Sequence, residues 1–161
     1  MTSRITLTPA DSPVVVHSMS EEETVAAGER LGRLLKAGDV VAIFGDLGAG
    51  KTRFVRGICR ALGTVRAASS PTFTLLHEYH APGLAVYHFD FYRIASASEL
   101  AGIGFAEYLD RGDGVCIIEW ADRVERFLPA DRYEVRMRAG GGPGTPDLRV
   151  IEISKVSGAA R

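Results

Sequence analysis

The sequence predicts an α/β domain: a mixed, mainly parallel central sheet flanked by helices and carrying one antiparallel hairpin. Two observations lead there. The run Asp39-Val40-Val41-Ala42-Ile43-Phe44 is unbroken and apolar between turn residues, as in a strand covered on both faces, and it passes through a glycine-rich turn into a helix-period segment at 51–62. Farther on, strand-like runs at 73–79 and 84–89 meet through Ala81-Pro82-Gly83, which is turn chemistry for a hairpin. With 161 residues, 46% apolar and 24% charged, the chain has room for one compact core at roughly 150 residues per domain. Residues 1–155 read as that single domain and 156–161 as a disordered tail.

Residues 1–16 hold one arginine and three consecutive valines, with neither an apolar stretch nor a cleavage site of signal-peptide type. No apolar run approaches the roughly 20 residues that a membrane span requires, so a cytoplasmic protein is expected. Ser20 followed by Glu23 has the spacing of a capping box and predicts a helix start. Val25, Leu31, Leu34 and Leu35 would form its apolar face, and Gly38 its left-handed stop. In the helix at 51–62, Phe54, Val55, Ile58 and Leu62 lie on one side, three arginines at 53, 56 and 60 on the other, and Gly63 closes it. Residues 98–110 read as a helical stretch broken at Gly102 and Gly104. Val115-Cys116-Ile117-Ile118 is a buried strand ending in Glu119-Trp120, and residues 132–138 and 148–154 alternate as strands around a Gly/Pro tip at 140–146. Cys59 and Cys116 fall within apolar patterns and read as buried small hydrophobes of a reducing compartment. The spacing of His17, His77, His80 and His88 does not suggest zinc.

The segment that carries chemistry is Gly45-Asp46-Leu47-Gly48-Ala49-Gly50-Lys51-Thr52, which satisfies G-x-x-x-x-G-K-[ST] at every fixed position, with a strand before it and a helix after it. Such a loop turns successive backbone N–H groups toward phosphate oxygens at the positive end of a helix. Lys51 would lie across the β- and γ-phosphates, and Thr52 would ligate magnesium. An accidental match is expected in about 1% of chains of this length. Magnesium also needs a carboxylate at a neighbouring strand end, and Glu119 and Asp90 both qualify. Glu119 follows the cleaner apolar run, while Asp90 lies in His88-Phe89-Asp90-Phe91-Tyr92-Arg93, where alternation puts His88, Asp90 and Tyr92 on one face. Trp120 reads equally as core or as a ring stacked near the nucleotide. The formal charge of −1 argues against sequence-independent nucleic-acid binding, which needs surplus cations. The Asn-Lys-x-Asp and Asp-x-x-Gly patterns of guanine-specific GTPases do not occur. A small-molecule kinase with a phosphate loop is the alternative.

Four stretches together, the phosphate loop, Ser70-Pro71-Thr72-Phe73-Thr74-Leu75, His88 to Arg93, and Glu119-Trp120, resemble in order and spacing the bacterial TsaE (YjeE) ATPases of tRNA threonylcarbamoyladenosine biosynthesis. The likeness runs from about residue 18 to 128, and Ala121 stands where that family often has proline. The resemblance implies a P-loop ATPase domain in which residues 45–52 bind ATP phosphates, Thr52 and Glu119 hold magnesium, and Asp90 assists hydrolysis or joins the metal. It also implies that Ser20 and Thr24 lie near the adenine and Trp120 near the nucleotide, and that Ser70, Pro71, Thr72 and Thr74 form a switch-like loop. Partners would be TsaD and TsaB, with tRNA reached through them. Hydrolysis would reset that complex between turnovers and be weak in the isolated chain, where no arginine finger or water-positioning glutamine is apparent.

Overall fold

The computed structural model describes residues 12–71 and 74–158. Seven strands, β1 (Val14–Ser18), β2 (Val40–Phe44), β3 (Leu76–Ala81), β4 (Leu84–Asp90), β5 (Gly114–Glu119), β6 (Arg132–Ala139) and β7 (Arg149–Val156), form one sheet in the order β1-β7-β6-β2-β5-β4-β3. The four central strands β6, β2, β5 and β4 are mutually parallel. β1 is antiparallel to β7 and β7 to β6, so β1 runs with the centre; only β7 and β3 oppose it. The mixed, mainly parallel sheet and the hairpin are therefore as the sequence predicts.

β2 and β5 are buried along their whole length, and their side chains feed two cores. On one face, Val41, Ile43 and Ile117 pack with Ala27 and Leu31 of α1 (Glu21–Gly32) and with Phe54, Val55 and Ile58 of α2 (Lys51–Leu62). On the other, Val40, Ala42, Phe89 and Ile118 pack with Leu100 of α3 (Ala97–Gly102) and Phe105 of α4 (Phe105–Arg111). Among the described residues no helix is long and apolar enough to cross a membrane.

Several boundaries differ from expectation. α1 starts on the predicted cap, with Ser20 Oγ accepting from Glu23 N at 3.1 Å, but it ends at Gly32, six residues before Gly38. Of the expected apolar face, Leu31 and the following Leu35 are buried and Leu34 is exposed, while the helix also buries Thr24, Ala27, Gly28 and Gly32. The cause is backbone contact between helices: a Cβ on Gly28 would overlap the Phe54 carbonyl oxygen, and one on Gly57 that of Val25. Small residues win that face because larger ones would hold α1 and α2 apart. β3 begins at Leu76 because Leu75 adopts a left-handed backbone (φ 63°). β7 continues to Val156, which pairs with Arg132, so the ordered strand enters the expected tail. β1 and the kinked 3₁₀ helix Ala121–Phe127 have no counterpart in the sequence reading.

Candidate functional site

The C-terminal ends of the parallel strands β2, β4 and β5 meet at one edge of the sheet, the place where open α/β sheets bind ligands. β2 delivers the glycine-rich loop. The loop closes on α2 through Gly50, whose φ of 93° favours glycine. At Gly45, a Cβ would press on the Met137 carbonyl oxygen of β6.

Lys51 opens α2 and is 5% exposed. Its Nζ donates to the carbonyl oxygens of Gly45 (2.6 Å) and Asp46 (2.8 Å) and lies 4.1 Å from the centroid of the Trp120 ring. Burial lowers its pKa, opposed by the charges of Glu119, Asp90, Asp122 and Asp46. Loop, lysine and tryptophan face thus enclose one positive charge that, among the described residues, has no carboxylate in direct contact.

Beside it, Thr52 Oγ1 donates to Glu119 Oε1 at 3.1 Å. Asp90 and Glu119 are cross-strand neighbours on β4 and β5, and both are buried. Asp90 Oδ2 accepts from Ser70 Oγ at 2.8 Å and Oδ1 from the Tyr92 amide at 2.9 Å. Trp120 sits just after β5 in a left-handed conformation (φ 57°), its ring 4.8 Å from that of Tyr92. These residues line a cleft of about 480 Å³ together with Leu47, Gly48 and Gly50. A hydroxyl and carboxylates converging beside a phosphate loop are hard oxygen donors of the kind magnesium takes, with phosphates completing its shell. The residues present therefore fit a magnesium nucleotide.

The candidate residues do not all share that cleft. Ser20 and Thr24 line a small neighbouring depression with Gly50 and Arg53. Thr24 is buried against Ser18 Oγ at 2.7 Å, and Ser20 Oγ is spent on the helix cap. Asp46 borders a hollow on the opposite side with Phe44, Gly45 and Arg136, and Ala49 is buried under the loop. Of the switch-like stretch, Ser70 reaches the cleft, Pro71 is buried, and Thr74 is exposed, with Oγ1 donating to Leu76 O at 3.3 Å. Thr72 lies outside the described residues.

Three residues at the site escape sequence reasoning. Arg53 and Arg56 line the cleft; the available signal was their place in the first turns of the helix, Arg53 next to Thr52 and Arg56 one helical turn after it. Arg149 of β7 donates to Gly48 O at 3.2 Å, and nothing in its local sequence marks it.

The description "Threonylcarbamoyl adenosine biosynthesis protein TsaE" belongs to a family model that matches residues 18–142. A Bacillus subtilis tRNA threonylcarbamoyladenosine biosynthesis protein TsaE is 41% identical over 124 residues, 77% of each chain. Its Treponema pallidum counterpart is 45% identical over 121 residues, 75% of this chain and 88% of that one. The crystal structure of Bacillus subtilis YdiB superposes with a TM-score of 0.75 at 34% identity, covering 91% of this chain and 87% of that chain. The matched span holds the phosphate loop, Asp90, Glu119 and Trp120 alike, and the fold that brings them together is shared: the chain belongs to the TsaE family.

Proposed function

We propose that this chain is a magnesium-dependent ATP-binding and ATP-hydrolysing subunit of tRNA threonylcarbamoyladenosine biosynthesis that works with TsaD and TsaB. The observation that carries the reading is the pairing of Thr52 with Glu119 beside the Lys51 ammonium, at the mouth of the glycine-rich loop. Magnesium, when bound, would neutralise charge on the β- and γ-phosphate oxygens. Thr52 Oγ and the Glu119 carboxylate would hold it. Lys51, by exchanging its loop carbonyls for phosphate oxygens, replaces neutral acceptors with charged ones, a stronger class of hydrogen bond. Asp90, each of whose oxygens already accepts a hydrogen bond, is a fixed acceptor suited to orienting the attacking water.

In this reading hydrolysis resets the partner complex between turnovers, and TsaD and TsaB supply in trans what the isolated chain lacks. The test is ATP hydrolysis at fixed magnesium and salt, alone and with both partners, alongside tRNA modification over many turnovers. Strong stimulation, with an ATP analogue that cannot be hydrolysed supporting only a first turnover, is the expected result. ADP release that rises only on adding a small hydroxyl compound would replace this reading with that of a kinase.

A further inference from the structure

Behind Glu119 lies a histidine that the proposed chemistry does not use. His88 of β4 is 0% exposed, and its Nε2 is 2.6 Å from Glu119 Oε2. Its ring lies 6.1 Å from that of Tyr79 at an interplanar angle of 29°. The Tyr79 hydroxyl is fixed in turn by the backbone N–H and C=O of Ser69 (3.1 and 3.2 Å) and by His77 Nδ1 (3.2 Å). The other His88 nitrogen, Nδ1, is buried and has no hydrogen-bond partner among the described residues.

A histidine that merely filled space would not require this one-sided arrangement. An ionised carboxylate only accepts hydrogen bonds, so the proton between His88 and Glu119 belongs on Nε2. Nδ1 then carries a bare lone pair, which is cheaper to bury unpaired than an N–H of a charged ring. His88 thus lies between the Tyr79 ring on one side and the Glu119 carboxylate on the other. Tying Oε2 leaves Oε1 as the carboxylate oxygen nearer Thr52 Oγ1 (3.1 against 3.4 Å).

We infer that His88 is a positioning residue, whose Nε2–H fixes the Glu119 carboxylate so that its other oxygen and Thr52 present a ready-made half-site for the divalent cation. The inference rests on the functional reading above. Partners that orient metal-holding carboxylates and histidines typically change metal affinity by about 10–100-fold.

The test compares wild type, His88→Gln and His88→Asn by Mn²⁺ binding in the presence of ADP, followed by electron paramagnetic resonance, and by ADP binding in EDTA. Glutamine carries an N–H that can reach the place of Nε2; asparagine is one carbon too short. The expected result is Mn²⁺ affinity reduced at least about 10-fold in the asparagine variant and restored to within about 3-fold by glutamine, with ADP binding in EDTA unchanged. Equal affinities in all three, or equal losses in both variants, would overturn the inference. Where the asparagine variant does not fold, ¹⁵N NMR of the wild-type ring decides. An Nε2–H tautomer whose resonance moves when Mg²⁺ joins the ADP complex supports the role; an Nδ1–H tautomer or an unmoved resonance refutes it. A wild-type protein that takes up no Mn²⁺ with ADP fails the functional reading itself, a distinct outcome.

Discussion

At Lys51 the ammonium is held by two loop carbonyls and an aromatic face, so removing it leaves Gly45 O and Asp46 O without that donor and the loop without its charge. Lys51→Ala should weaken ATP binding by about 100-fold, the worth of two charged hydrogen bonds of ~1.5 kcal/mol each, with circular dichroism unchanged; calorimetric titration measures it. The two cysteines behave oppositely, as groups kept out of chemistry. Burial pushes both Cys59 and Cys116 thiols up to about 12, from an ordinary value of 9.0. Folding therefore holds these protons more tightly than the open chain does, and the associated stability is whole below pH 9 and lost as pH rises toward 12. At pH 8 a disulfide reagent should find neither thiol in the native protein and both after denaturation. Lys51 and Thr52 were legible in the sequence because a phosphate loop fixes their spacing. Arg149 was not, since it reaches Gly48 across 101 positions of chain, and such a contact is set by strand order rather than by any local pattern.

Among the elements, α2 was read to the residue because glycines with positive φ stand at both ends, Gly50 and Gly63. On the expected face of α1, Leu31 and Leu35 are buried but Leu34 is exposed, and the small residues that pack against α2 carry no periodic signal. Hydrophobic periodicity assumes that large side chains do the packing, whereas here the helices meet through Gly28 and Gly57 and bury Thr24 and Ala27 between them. Gly57→Ala should therefore destabilise the protein by about 2–3 kcal/mol, overpacking a contact made by backbone. The urea midpoint should fall with little change in slope; an unchanged midpoint would mean that α1 and α2 separate freely. β1 is not legible because Val14 to His17 alternate between half-buried and exposed at the sheet edge, its one buried residue is the polar Ser18, and the strand carries no turn signal of its own. The 3₁₀ helix after Trp120 is likewise invisible locally: it is entered through a left-handed tryptophan whose ring meets Lys51 and Tyr92, both far away in the chain.

For the whole molecule, the sequence could announce strands and a hairpin but not their order, because β2 lies between β5 and β6, both distant in the chain. That order also predicts that residues 18–142, the span of the family match, do not form a stable unit by themselves. β7 lies beyond it and pairs with both β1 and β6, so a chain cut to 18–142 bares the edge of β6 and the core residues Val135 and Met137. Exposed edges of this kind invite pairing between molecules, and the shortened chain is expected to aggregate or to melt at least about 10 °C lower, which a thermal scan reads directly. The loop, too, is tied to that distal strand through Arg149 and Gly48. One last property belongs to the molecule entire. The chain has a single tryptophan, and it is the one against the Lys51 ammonium. All indole fluorescence from the protein therefore originates at the cleft, and a shift of the lysine toward a phosphate would alter the emission of the whole chain without any label attached.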